Sequence, residues 1–267
     1  MGFSASALIL PYSVIKYLLH HNFPNLDDSK KILKVKRIRN GLKFFVRKKW
    51  TKKLLQIFKK KENKALKGVT GVIHIGANTG QERQFYANDG LFVIWIEPID
   101  EVFKQLNFNL AGFQKQIAIK ALVTDLDNAI YNFNIANNAG ASSSILDLNL
   151  HKDIWPDVNF EKTVTLSSIT LPTLLNENKI PLAKYNMLVM DTQGSELLIL
   201  KGAVSILQNF KYIKTEAPDF ESYIGCCQLN DLHLFLEPIG FREISRNRFA
   251  KHPRFGNYYD IIFKKVI

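Results

Sequence analysis

The sequence predicts an α/β domain on a doubly wound, mostly parallel seven-stranded sheet with an antiparallel C-terminal hairpin, behind a basic, largely helical N-terminal segment. Three observations predict it. From residue 68 onward, short apolar runs alternate with amphipathic stretches, as parallel strands joined by right-handed helical crossovers require. The last two strand-like runs, "FREISRNRF" and "NYYDIIFKKVI", have no helix between them, so they form a hairpin at one edge. The charge is also unevenly spread. Residues 1–67 hold 18 Lys or Arg against three acids, whereas residues 68–267 hold 18 against 21. The net charge of +12 therefore belongs to the first segment, which places the domain boundary at 67/68.

The opening "SASALILPYSVIKYLLHHNFPNL" is moderately apolar, but Pro11 and Lys16 interrupt it, and neither an early charge nor a small-residue cleavage site accompanies it. This argues against secretion. "MGFSAS" matches the Gly2/Ser6 myristoylation pattern only formally, because bulky Phe3 follows the glycine. From Ser29 to Lys67, Val35, Ile38, Leu42, Val46, Trp50, Leu54 and Phe58 recur at helical spacing amid Lys and Arg. Three readings stand for this stripe: a helix packed on the domain, a helix lying on an anionic membrane surface, and, ranked last, a nucleic-acid contact without any recognised motif. No run approaches 18 uninterrupted apolar residues, so no membrane-spanning helix is expected. The two cysteines, Cys226 and Cys227, are adjacent and poorly placed for a disulfide, which points to a reducing compartment. The expected location is cytoplasmic, with peripheral contact at the inner membrane face through the basic segment.

In the domain, a strand is predicted over 72–75 and a helix over about 80–88, with Thr79 and Glu82 in capping-box spacing. A strand over 91–97 follows, then a helix over 101–111 capped by Asp100, then a strand over 117–123. Residues 125–185 are less regular, with strand-like pieces at "AIYNFNIA" and "KTVTLSSI". The pattern resumes with the strand "NMLVMD", a helix through "SELLILKGAVSILQNF", the strand "YIKTEA" and the helix "NDLHLFLEPIG".

Ligands of such sheets sit outside the carboxyl ends of the strands, where strand order reverses. The residues there are His74 to Gly80, Glu97, Asp125, Asp191 to Glu196 and Glu216. Gly76 and Gly80 frame "GANTG", a turn that brings backbone close to a ligand. Glu97 ends the next strand, where a carboxylate accepts from ribose hydroxyls. Asp125 is placed to meet an adenine amino group. A pyrophosphate cofactor needs G-x-G-x-x-G, but Asn78 occupies the middle glycine position. This favours S-adenosylmethionine, which has no pyrophosphate, over NAD or FAD.

"VIHIGANTGQE", "WIEP", "ALVTDLDN", "TLPTLL", "LVMDTQGSELLILKGA", "YIKTEA" and "FLEPIGF" occur in the order seen in FkbM-type methyltransferases, which the chain resembles from about Gly71 to Phe263. The resemblance implies a Rossmann-like, S-adenosylmethionine-dependent enzyme that methylates a hydroxyl, commonly of a sugar, polyketide or glycan. It implies cofactor contacts at Gly76, Asn78, Gly80, Glu97, Asp125 and Asp191, with His74 in reach of the cofactor's amino-acid end, and matches Asp191, Gln193, Glu196 and Glu216 to family acids and their block. His74 stands where the family commonly has an acid before the glycine loop, so His74→Asp is expected to preserve or tighten cofactor binding. Pro172 stands where aspartate is frequent, which leaves the local helix cap in question.

For the reaction, Asp191 is the first candidate base and Glu216 the second. A helix cap is the competing role for Asp191. Asp191 with Glu216 would also offer oxygen ligands to a divalent cation, although no pattern demands a metal. His151, His252, Ser142 to Ser144, Trp155, Tyr223 and Tyr258 are candidates to line the acceptor site, the aromatics as a sugar-stacking surface. The expected partner is a hydroxyl-bearing acceptor of carbohydrate type. The alternatives are a small-molecule or lipid-linked acceptor, or a non-catalytic module that docks at membranes through residues 29–67.

Overall fold

The computed structural model describes residues 68–266. The basic stripe of 29–67, with its membrane and nucleic-acid readings, and the Gly2 pattern lie outside the described residues. Among the described residues, no helix is long and apolar enough to cross a membrane.

Strand β1 (Gly71–Ile75) leads through a glycine turn to α1 (Arg83–Asn88), β2 (Phe92–Ile96), α2 (Asp100–Leu110) and β3 (Gln116–Ile119). After an insertion, β7 (Met187–Met190), α5 (Glu196–Gly202), β8 (Tyr212–Pro218), α6 (Leu229–Leu236), β9 (Phe241–Lys251) and β10 (Asn257–Lys265) complete a seven-stranded sheet. Its order is β3-β2-β1-β7-β8-β10-β9. All neighbours are parallel except β10, which is antiparallel to both β8 and β9. The expected fold class is thus present. Strand order reverses between β1 and β7, which opens a crevice beyond their carboxyl ends.

Strand β1 is buried at every position because helices cover both faces of the sheet. Ile73 and Ile75 join Leu188, Met190 and Ile213 under Ile199, Leu200 and Leu232 on one side. Val72, Val93, Trp95 and Val189 meet Tyr86, Leu106 and Leu110 on the other. The period-2 alternation of β1 sorts its residues between these two layers.

The insertion holds β4 (Leu122–Val123), β5 (Ile130–Ala136), α3 (His151–Ile154), β6 (Phe160–Ile169) and α4 (Leu171–Glu177). Strands β4, β6 and β5 form a second, three-stranded sheet. The apolar run expected as one strand over 117–123 is therefore two. Gln116 to Ile119 pair with β2, and Leu122 and Val123 pair with Ser168 and Ile169 of β6. Periodicity reports burial but not the partner strand.

Other boundaries shift for local reasons. The helix expected from Ser195 to Phe210 ends at Gly202, where a Cβ would overlap the Thr124 carbonyl, and a short 3-10 turn at Leu207–Asn209 follows. Asp100 lies in the first turn of α2 and pairs with Lys120, whereas Ile99 holds the cap position. Thr79 and Glu82 form no capping box, and α1 starts only at Arg83. At α4, Thr170 caps the helix by accepting from the Thr173 N–H, and Pro172 sits in the first turn, where its missing N–H costs nothing. Asp127 accepts from the Thr170 N–H and the Thr173 hydroxyl, so an acid from another segment completes the cap left in question.

Candidate active site

The turn after β1 is built on backbone contact. Gly76 has φ +77°, and a Cβ there would overlap the Asp191 carbonyl. The N–H groups of Gly76 and Ala77 both donate to the Ile96 carbonyl at 3.0 Å, and the Asp191 N–H donates to Ile75 O at 3.0 Å. The carboxyl ends of β1, β2 and β7 are thereby tied together. Asn78 adopts φ +45°, a left-handed conformation that asparagine tolerates better than most residues. Its side-chain oxygen accepts from the Thr79 N–H at 2.8 Å, and its amide donates to Ala139 O at 3.1 Å. The missing middle glycine is therefore replaced by the residue type that best holds its conformation.

A cleft of about 220 Å³ opens at this point, lined among others by Gly76, Asn78, Glu82, Glu97, Asp191 and Gln193. Glu97 is buried, and its carboxylate accepts from the N–H groups of Asn78 (2.9 Å) and Ile99 (3.0 Å). Burial pushes its carboxyl up to about 7 against the pull of these two donors. Asp191 follows β7, and its Oδ1 accepts from Gln193 Nε2 at 2.8 Å. Its carboxyl is also raised to about 7, first by burial and then by the negative charges of Glu196, Glu82 and Asp260.

Behind Gln193 lies a second cavity of about 140 Å³, whose walls include Glu216, His151, Trp155 and Tyr258. Gln193 lines both spaces. It has φ +55°, and its Oε1 accepts from the Tyr223 hydroxyl at 2.9 Å. Met190 and Thr215 are register partners, so Asp191 and Glu216 come next side by side, and Asp260 lies opposite Glu216. This row of acids, together with burial as the larger cause, holds the Glu216 carboxyl well above the usual range.

Several candidate residues lie elsewhere. His74 does not line the cleft. It belongs to the even-numbered face of β1, where its ring stacks on Trp95 (4.8 Å between centroids) and its Nδ1 is 3.3 Å from the Tyr86 hydroxyl. Burial lowers its ring to about 4, so it stays neutral. Gly80 also stands off the cleft, because the space a Cβ would need there is filled by Leu106 at 2.8 Å. Asp125 follows β4, which has left the main sheet; it packs beside Gly202 rather than at the cleft, and among the described residues its Oδ1 is buried without a partner. Glu196, in the first turn of α5, holds the preceding turn by accepting from the N–H groups of Thr192 and Gly194. His252 organises a loop, with Nδ1 accepting from the N–H groups of Arg254 and Phe255 and Nε2 3.1 Å from Asp153. The free thiols of Cys226 and Cys227 are buried. Among the described residues, no three His, Cys, Asp or Glu side chains converge as a metal site.

Sequence reasoning missed an acid of the cleft. Glu82 was expected as half of a capping box but lines the cleft instead. Its spacing from Thr79 is equally compatible with both roles, and only the late start of α1 separates them.

Residues 74–243 match the family model described as the methyltransferase FkbM domain. Comparison with curated proteins gives no match. Among solved structures, the chain is similar to a human methyltransferase 10 domain containing protein, with 12% identity, a TM-score of 0.43 and coverage of 80% of this chain and 81% of that one. It is similar to a SAM dependent methyltransferase from Aquifex aeolicus, with 12% identity, a TM-score of 0.39 and coverage of 76% and 89%. It is also similar to a ribosomal protein L11 methylase from Lactobacillus delbrueckii subsp. bulgaricus, with 12% identity, a TM-score of 0.40 and coverage of 77% and 74%.

Proposed function

Because the chain belongs to the FkbM methyltransferase family and uses S-adenosylmethionine, we propose that it methylates a hydroxyl group, that of a sugar or glycan. The residues present fit this cofactor. Glu97, held by two backbone donors, offers its remaining lone pairs to ribose hydroxyls. Glu82 and Asp191 supply negative charge for the ammonium and sulfonium groups, at the amino-acid end of the cofactor that the His74 ring was expected to reach. The close approach of Gly76 to the Asp191 backbone leaves no side chain between them.

The observation that carries the reading is the junction at Gln193, where an acid-lined cleft meets a second cavity walled by aromatic rings and Glu216. Held by Glu97, Glu82 and Asp191, the cofactor would supply an electrophilic methyl group for the acceptor oxygen and a sulfur that leaves with the bonding electron pair. The hydroxyl proton passes to Asp191 or Glu216. Two adjacent buried carboxylates resist ionising together, so near neutral pH one carries a proton while the other can accept one. Gln193 orients Asp191 through its amide.

Calorimetric titration of the full chain with S-adenosylmethionine tests the cofactor site, and a glycan screen with methyl-labelled cofactor tests the acceptor. Glu97→Ala should weaken cofactor binding. Asp191→Asn should weaken cofactor binding modestly, through the lost charge, and lose turnover by about 10²-fold or more. Full activity in Asp191→Asn would remove it from the proton path, and the absence of cofactor binding at millimolar concentration would end the enzymatic reading. The excess of bases in residues 1–67 supports peripheral contact with an anionic membrane surface, which co-sedimentation with acidic vesicles checks.

A further inference from the structure

The second cavity contains an unmet hydrogen bond. His151, the first residue of α3, is only 2% exposed, and among the described residues its Nδ1 is buried without a hydrogen-bond partner. Its Nε2 lies 3.4 Å from the Ser142 hydroxyl. Leaving a buried polar atom unpaired costs about 1–3 kcal/mol, so the position calls for a ligand group. Burial lowers the ring to about 4 and keeps it neutral. A neutral imidazole nitrogen either donates or accepts according to tautomer, and a hydroxyl satisfies it in both cases.

The surroundings narrow the ligand class. Trp155 lies 4.6 Å from the His151 ring and 5.4 Å from Tyr258, centroid to centroid, with the ring planes inclined by 38° and 62°, which gives the cavity an aromatic wall. Glu216 lines the same space, and among the described residues no side-chain hydrogen bond or ion pair holds its carboxylate. Asp191 and Asp260 lie beside it in the sheet. An apolar wall beside hydrogen-bonding groups suits a saturated ring with hydroxyls on its edge. The row of carboxylates disfavours an acidic sugar or a sugar phosphate. A volume of about 140 Å³ accommodates one ring-sized unit.

We infer that this cavity seats one neutral sugar unit of the acceptor, stacked on Trp155, with a ring hydroxyl bonded to His151 Nδ1 and another to Glu216. This inference rests on the methyl-transfer reading. His151 is here a binding and positioning residue, and Gln193 places the sugar beside the cofactor cleft.

The test uses tryptophan emission of the full chain, with S-adenosylmethionine binding followed in parallel by calorimetry. The probes are the methyl glycosides of glucose, galactose, mannose and rhamnose, N-acetylglucosamine, and glucuronate. At least one neutral sugar should shift the emission, and the shift should vanish in Trp155→Phe. In His151→Phe, which keeps a ring among aromatic neighbours, half-saturation should move about tenfold higher while cofactor affinity stays unchanged. Phe249→Ala, at the partly exposed mouth, should also weaken sugar binding without disturbing the core. Cofactor binding with no response to any neutral sugar overturns this inference alone, as does a response that survives Trp155→Phe or is matched by glucuronate. Failure of the parent chain to bind the cofactor overturns the methyl-transfer reading and this inference with it.

Discussion

At Glu97, burial and two backbone donors pull the carboxyl in opposite directions, and burial wins. Ionised Glu97 is the better acceptor for ribose hydroxyls, so cofactor affinity should rise about tenfold between pH 6 and pH 8. Calorimetry across that range checks this, and Glu97→Gln should flatten the profile and weaken binding at pH 8. His74 shows how far a residue's role depends on its surroundings. The family pattern suggested that His74→Asp would be neutral or favourable. The ring instead lies against Trp95 and Tyr86, so the substitution buries a carboxylate among aromatic rings. It should lower unfolding free energy by on the order of 3 kcal/mol in urea melts without tightening cofactor binding. The apolar run of β1 showed that His74 would be enclosed, but not which rings would enclose it.

Among the elements, the turn between β1 and α1 is the most constrained. Gly76→Ala adds both a left-handed backbone penalty and a clash with the Asp191 carbonyl. It should cost about 2–4 kcal/mol of stability and abolish cofactor binding, measured by thermal unfolding and calorimetry. This turn was legible from "GANTG" because glycine placement reports backbone shape directly. The loss of the capping box at Thr79 and Glu82 was not legible, since a Thr-x-x-Glu spacing states a possibility that α1 declines by starting at Arg83. The split of 117–123 into β3 and β4 was hidden for a different reason. Both halves are apolar, and only pairing with β2 or β6 distinguishes them. Asp125 moved away from the cleft with the second half.

The whole domain carries opposing titrations. Glu97, Asp191 and Glu216 have folded-state values raised above their ordinary ones. The stability they contribute is complete below their ordinary values, 3.8 for the aspartate and 4.5 for the glutamates, and is lost as pH rises through about 7 and beyond. His74 and His151 are lowered to about 4, so their contribution is complete above about 6.5 and lost as pH falls toward 4. From pH 6.5 to 8.5 the contribution of these two histidines is nearly complete while that of the carboxylates is still being lost, so unfolding free energy of the cofactor-free protein should fall across that range in denaturant melts. Glu216→Gln should raise stability at pH 8.5 by on the order of 1–2 kcal/mol while reducing turnover, as expected where function maintains a buried charge. At this scale, the alternation of apolar runs and helices determined the α/β class, the sheet with its antiparallel hairpin, and the positions of Gly76, Asn78, Glu97 and Asp191 around one cleft. Local composition and spacing suffice for these, because burial and backbone turns leave periodic traces in the chain. Tertiary structure alone decided that Glu82 faces the cleft while His74 and Asp125 do not, and that Gln193 stands between two cavities. Those facts depend on which distant segments pack together, and no local pattern records a contact between the turn after β7 and a loop some 50 residues earlier in the chain.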